Sequence, residues 1–287
     1  MKKLGVIIDS FSCVSQEKTH ELGFKFLPLQ IEIDGQVFQD GIDNKDVILQ
    51  KLKEANDYKT SSPKLSIIND VVDDLARSCD DVIFVGISSS LSGTAAHVRT
   101  KALEYNNVHI MENHLVGEQI IRVVNYLKYL YEEKDYTINQ LFEEFNLINE
   151  GTKVLIVPKQ VKNLLKGGRL SSLKKFILSK ISLFPVLEYD VEGKVKNATL
   201  KRTFSGSFNY SVQEIVSFCL EGEKSDKNVK YHIDVISGID PEVNKLIEAI
   251  QYFKPSSWTL TPIAIAVHTG VEAFALTVMP KLNYEEK

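Results

Sequence analysis

The stretch GISSSLSGTAAHV, Gly86 to Val98, sets four serines, a glycine and a threonine directly after the apolar run VIFVGI. This reads as a buried strand running into a helix that begins near Thr94. The unpaired N–H groups of a helix start point back toward the strand end and favour negative charge. The hydroxyls of Ser88, Ser89, Ser90, Ser92 and Thr94 add neutral donors, and Gly93 permits a tight backbone. An anion suits such a place. So does plain capping, because Ser and Thr are preferred N-cap residues. A second cluster, KTSSPK, puts Thr60, Ser61 and Ser62 ahead of Pro63, and proline favours the first turn of a helix. Two hydroxyl-rich helix starts in one α/β half point to a shared site at the carboxyl edge of a parallel sheet, where open sheets bind ligands. Asp9 and Ser10, ending the first strand, belong to that edge.

His268 closes the apolar run PIAIAV and is followed by Thr269 and Gly270. Read as a strand-end imidazole beside a turn, it can donate to an anion or be an ordinary satisfied histidine. In LLKGGRLSS, Gly167 and Gly168 end a helix and Arg169 emerges from a turn. Arg169, and Arg202 in LKRTF, carry donor forks that suit oxyanions and also suit solvent. Other chemistry lacks its signature. There is no G-x-S-x-G elbow, no Walker ending and no H-E-x-x-H among the six histidines. No catalytic residue and no metal ligand is assigned.

The elements that must position these groups alternate through the first half. LGVIID, VIFVGI and NVHIM read as strands; IINDVVDDLARSC and IIRVVNYLKYLY carry apolar helical faces, and Thr137 with Gln140 forms a capping box. Strands separated by helices imply parallel pairing. The second half reads as a strand TKVLIVP and a hairpin turning at Glu192 and Gly193. Two helices follow with the strand YHIDVISG between them, and the apolar strands PIAIAVHTG and AFALTVM come last. A mixed or antiparallel sheet is expected there, with a boundary near Gly151 separating domains 1–150 and 151–287.

The chain has 287 residues, 44% hydrophobic and 25% charged, an ordinary soluble globular composition. A net charge of -4 argues against a nucleic-acid partner. Cys13, Cys79 and Cys219 form no C-x-x-C, which fits a reducing compartment. The opening apolar run stops at Asp9, and no stretch approaches the ~18 apolar residues of a membrane span. A cytoplasmic location is expected.

Five segments in order resemble the DegV family, which includes bacterial fatty-acid-binding proteins that work with a fatty acid kinase. IIDSFS is similar to D-S-[TS], TSSP to T-S-x-P, SSSLSGT to S-S-x-L-S-G-T, LKGGRLS to L-K-x-G-G-R-[IL], and HTG to H-x-G. The resemblance implies two α/β domains with a long-chain fatty acid in a tunnel and its carboxylate between them. Thr60 would contact the carboxylate, together with Ser92 and His268, and Ser61, Gly93, Thr94 and Thr269 stand beside them. Arg169 and Arg202 would serve the kinase encounter or phosphate handling. The protein would then be a carrier without a cofactor, presenting its ligand for acyl-phosphate formation. Val271 and Glu272 replace the proline and glycine that usually extend the histidine motif, and Glu112, Asn113 and Gln119 depart from the family's middle segment. Two alternatives stand beside this reading. One is a phosphoryl-transfer or hydrolytic enzyme using His268 as nucleophile or base; the other is a member that has lost or changed its ligand.

Overall fold

A computed structural model describes residues 2–166 and 183–284. The first half runs β1 (Leu4–Asp9), α1 (Gln16–Glu21), β2 (Lys25–Leu27), β3 (Gln30–Ile33), β4 (Gln36–Gln39), α2 (Lys45–Glu54) and β5 (Tyr58–Ser61). It continues through α3 (Leu65–Ser78), β6 (Asp81–Val85), α4 (Thr94–Ala102), β7 (Val108–Ile110), α5 (Glu118–Glu133) and α6 (Ile138–Glu150). The second half begins with β8 (Lys153–Val157), α7 (Lys162–Lys166), β9 (Phe184–Tyr189), β10 (Val195–Lys201) and α8 (Phe204–Ser225). It ends with β11 (Tyr231–Ser237), α9 (Pro241–Glu248), β12 (Ser257–Leu260), α10 (Ile263–Thr269) and β13 (Phe274–Pro280).

The first strands form a parallel sheet in the order β2-β1-β6-β7. Every residue of β1 is buried, as expected of a strand covered on both faces. α3 and α4 pack on one face through Ile68, Val72 and Val98, and α5 covers the other with Ile120, Val123, Val124 and Leu127. The capping box at Thr137 and Gln140 is formed.

A mixed sheet of six strands, β10-β9-β8-β13-β11-β12, occupies the second half. Its pairs are antiparallel except β11 with β12. Alternation splits its faces: Leu155, Val157, Leu276 and Val278 face α8, whereas Val154, Tyr189, Ile236 and Ala275 join the core shared with α5. Arg122 on α5 reaches across to Asp234 on β11, with Nη2 donating to Oδ1 at 3.0 Å.

A third sheet, β4-β3-β5, is antiparallel and was not expected from the alternating pattern. β3 and β4 turn through Asp34 (φ 46°) and Gly35 (φ 83°), the left-handed pair that an Asp-Gly hairpin favours. This sheet corrects two readings. Thr60 and Ser61 do not start a helix; they end β5, paired with Ile31 and Gln30. α3 begins only at Leu65, with no side-chain cap. Nor is PIAIAVHTG a strand. Pro262 opens the helix α10, whose Ile263, Ala264, Ala266, Val267 and Thr269 are all buried. It packs on α7, α2, β3 and β5 and shares the cavity with the six-stranded sheet, so no polar face survives to reveal the helical period.

Candidate functional site

A cavity lies where the three sheets approach one another. About 1070 Å³ of unfilled space lies between its walls, open solvent at the mouth included. Most of its wall is apolar: Val154 and Ile156 from β8, Leu187 and Tyr189 from β9, Ile236 from β11, Ala275 from β13. Phe11 and Val116 close it from the parallel-sheet side. Tyr189 stands edge-on to Phe11 at 6.0 Å and to His114 at 6.0 Å, two aromatic contacts that hold its ring. Burial pushes the Tyr189 phenol up, keeping it neutral.

The polar residues gather at one place. Thr60 at the end of β5 and His268 in the last turn of α10 meet with Oγ1 and Nε2 2.9 Å apart, across 208 residues of chain. Ser61, Ser62, Ser92, Gly93 and Thr269 also line the cavity. The two hydroxyl clusters adjoin: a Cβ placed on Gly93 would lie 3.4 Å from Ser62 Oγ. Ser92 has a second task. Its Oγ accepts the Thr94 N–H at 3.2 Å and lies 2.9 Å from Thr94 Oγ1, supplying the cap that Gly93 lacks. Capping and lining are thus both true of Ser92.

The serine loop is held from behind. Asp9, 0% exposed, accepts Phe11 N–H at 3.0 Å on Oδ1 and Ile87 N–H at 2.9 Å on Oδ2. Gly86 allows this approach, since a Cβ there would come within 2.6 Å of Asp9 Oδ2. Burial pushes the Asp9 carboxyl up to about 7, against the two amide bonds and with a further push from Asp40. From the other side the β9–β10 turn closes on the loop, and Ser88 Oγ donates to Gly193 O at 2.8 Å.

Of the residues singled out in the sequence, Thr60, Ser61, Ser92, Gly93, His268 and Thr269 come together at the cavity. Thr94 is buried behind Ser92 and does not line it, and the Thr269 hydroxyl donates to Ile265 O at 3.0 Å. His268 ends a helix, not a strand. Arg202 is exposed between β10 and α8, away from the lining, and Arg169 lies outside the described residues. Glu272 does not line the cavity either; its Oε1 accepts from Gln160 Nε2 at 3.1 Å. Gln119 is buried, taking Val116 N–H on Oε1 at 3.2 Å and giving Nε2 to Val278 O at 3.2 Å. Asn113 likewise serves the backbone at Gly86, Met111 and Leu115. Sequence reasoning missed Phe11, Leu187 and Tyr189 as walls; the signal available for Leu187 and Tyr189 is their spacing of two in a strand, which puts them on one face. Among the described residues no group of three or more His, Cys, Asp or Glu is placed to hold a metal.

Comparison with known proteins bears on this arrangement. A family model described as an uncharacterised protein of the DegV family matches residues 3–281. A DegV domain-containing protein of Mycoplasmopsis pulmonis is 28% identical, covering 96% of this chain and 95% of its own. Among solved structures, a fatty acid binding DegV family protein from Streptococcus agalactiae superposes with a TM-score of 0.84 at 20% identity, over 98% of this chain and 100% of that one. A stearic acid-binding protein from Eubacterium ventriosum gives 0.81 at 19% identity, over 98% and 99%.

Proposed function

The chain belongs to the DegV family, and from that membership and the lining of the cavity we propose that it binds a long-chain fatty acid, tail in the apolar chamber and carboxylate at the hydroxyl–imidazole end. The observation that carries this reading is the Thr60–His268 contact at 2.9 Å, set with Ser61 and Ser92 in a cavity otherwise lined by apolar side chains. Its solved relatives from Streptococcus agalactiae and Eubacterium ventriosum, which bind fatty acid and stearic acid, support it.

The energetics divide the labour. Each buried methylene contributes about 0.8 kcal/mol, so a tail of about 16 carbons contributes on the order of 10 kcal/mol before ordering costs. A head-group hydrogen bond adds about 1–3 kcal/mol. The tail supplies affinity; the polar end fixes which way the ligand lies. In this reading the protein is a carrier that presents the carboxylate to a separate kinase for acyl-phosphate formation, with Arg202 and Arg169 meeting that partner. A cytoplasmic setting agrees with the described residues, in which no helix is long and apolar enough to cross a membrane.

Native mass spectrometry of the purified protein, with organic extraction, tests the reading. One acyl chain per protein is expected. Recovery of none, together with no uptake of added fatty acid, overturns it.

A further inference from the structure

Asp40 follows β4, is 1% exposed and lines no part of the cavity. Its Oδ2 accepts the Ala264 N–H at 3.0 Å, from 224 residues away. Ala264 belongs to the first turn of α10, and Pro262, which precedes that helix, makes no side-chain cap. A helix start leaves its first N–H groups without partners in the helix. Asp40 therefore does from another layer what an N-cap side chain does locally. It is itself held in place, because its own N–H donates to Leu29 O at 2.9 Å and Leu29 is a cavity wall. The charged groups that act on it are Lys45 at the start of α2 and, across the β1 end, Asp9.

α10 has seven residues and presents Ala264, Ile265, His268 and Thr269 to the cavity. His268 follows Ala264 by four positions, one turn on and on the same face. A helix this short has few hydrogen bonds of its own to fix its register. We propose that Asp40 is a positioning residue for the head-group site: by holding the first turn of α10 it sets where the His268 imidazole stands against Thr60. The working atom is the acceptor oxygen on the Ala264 N–H, which an Asn side chain keeps and an Ala side chain lacks.

The binding part of the test rests on the fatty-acid reading; the spectroscopic part does not. Ligand-free protein labelled at histidine is compared as wild type, Asp40→Ala and Asp40→Asn, with His268→Gln to assign the ring signal. Binding of cis-parinaric acid is titrated by fluorescence on the same samples. Asp40→Ala is expected to shift the His268 ring signal and weaken parinarate binding by roughly five- to tenfold, the loss of one cap. Asp40→Asn, which keeps an acceptor oxygen, restores both. An unmoved signal and unchanged affinity in Asp40→Ala overturn the inference, and so does equal damage in the two variants. If Asp40→Ala does not fold, hydrogen exchange in wild type decides: the Ala264 amide is expected to be as protected as the rest of α10, and a freely exchanging one overturns the assignment. If wild type binds no parinarate, the fatty-acid reading fails while the ring signal still judges Asp40.

Discussion

Replacing Asp9 by Asn should flatten the dependence of stability on pH between about 4 and 7. The carboxyl is buried behind the serine loop, and burial raises it from 3.8 to about 7. Below pH 4 it is protonated in both folded and unfolded chains, and folding keeps its full stability. As pH rises toward 7 the unfolded chain ionises at Asp9 while the folded one holds the proton. Unfolding then releases about one proton, so stability falls by about 1.4 kcal/mol per pH unit. A shift of roughly three units makes the total loss about 4 kcal/mol, complete once pH passes the folded value. An Asn side chain has no proton to hold over this range. Its oxygen can take one of the two amides, from Phe11 or Ile87, but its NH₂ cannot take the other. That removes about 1–3 kcal/mol at every pH and leaves the slope alone. Urea unfolding at pH 5, 6, 7 and 8 separates offset from slope. Asp40, also raised by burial, contributes a slope of the same sign to both proteins; because it also acts on Asp9, the difference between them reports Asp9 together with that coupling. Parallel stability curves for wild type and Asp9→Asn would refute the reasoning.

Two further substitutions probe the loop that Asp9 supports. Ser92→Ala removes a lining hydroxyl and the cap of α4, so fatty-acid affinity should fall by about 1–3 kcal/mol and stability by about 0.5–2 kcal/mol; fluorescence titration and thermal unfolding on one sample distinguish the two losses. Gly193→Ala places a Cβ 2.7 Å from Ser88 Cβ at a residue with φ 70°, so the β9–β10 turn must lift from the serine loop. About 1–3 kcal/mol of destabilisation is expected, and an unchanged melting temperature would contradict the contact.

What the sequence made legible was mostly local. The serine loop, the helix from Thr94, the capping box and the turn at Glu192 and Gly193 depend on neighbours within a few residues, and each is found where those neighbours put it. α10 was hidden because packing on two sides buries it all round, and a short run rich in Ile and Val then looks like a strand. β5 was hidden because Thr60 and Ser61 before a proline satisfy the rule for a cap as well as the rule for a strand end. The β3–β4 hairpin was readable in IEIDGQVF, where an Asp-Gly pair separates two alternating runs. The Thr60–His268 contact spans 208 residues, and no periodicity encodes such a meeting. Its partners were named through family motifs, and only the fold explains why they belong together.

The wall carrying His268 has a consequence for synthesis. Ribosomes deliver the chain from its N-terminus, and β3, β5 and the serine loop emerge long before residues 263–275, which supply α10 and the start of β13. Until then Asp40 has no amide to hold, Thr60 has no imidazole beside it, and the greasy faces of β3 and α2 have no lid. Such late, distant pairings slow folding and leave hydrophobic surface bare during translation. On the proposed fatty-acid reading, capacity for ligand is therefore among the last properties this polypeptide acquires, and a nascent chain halted before residue 263 should be retained by chaperones rather than loaded with lipid.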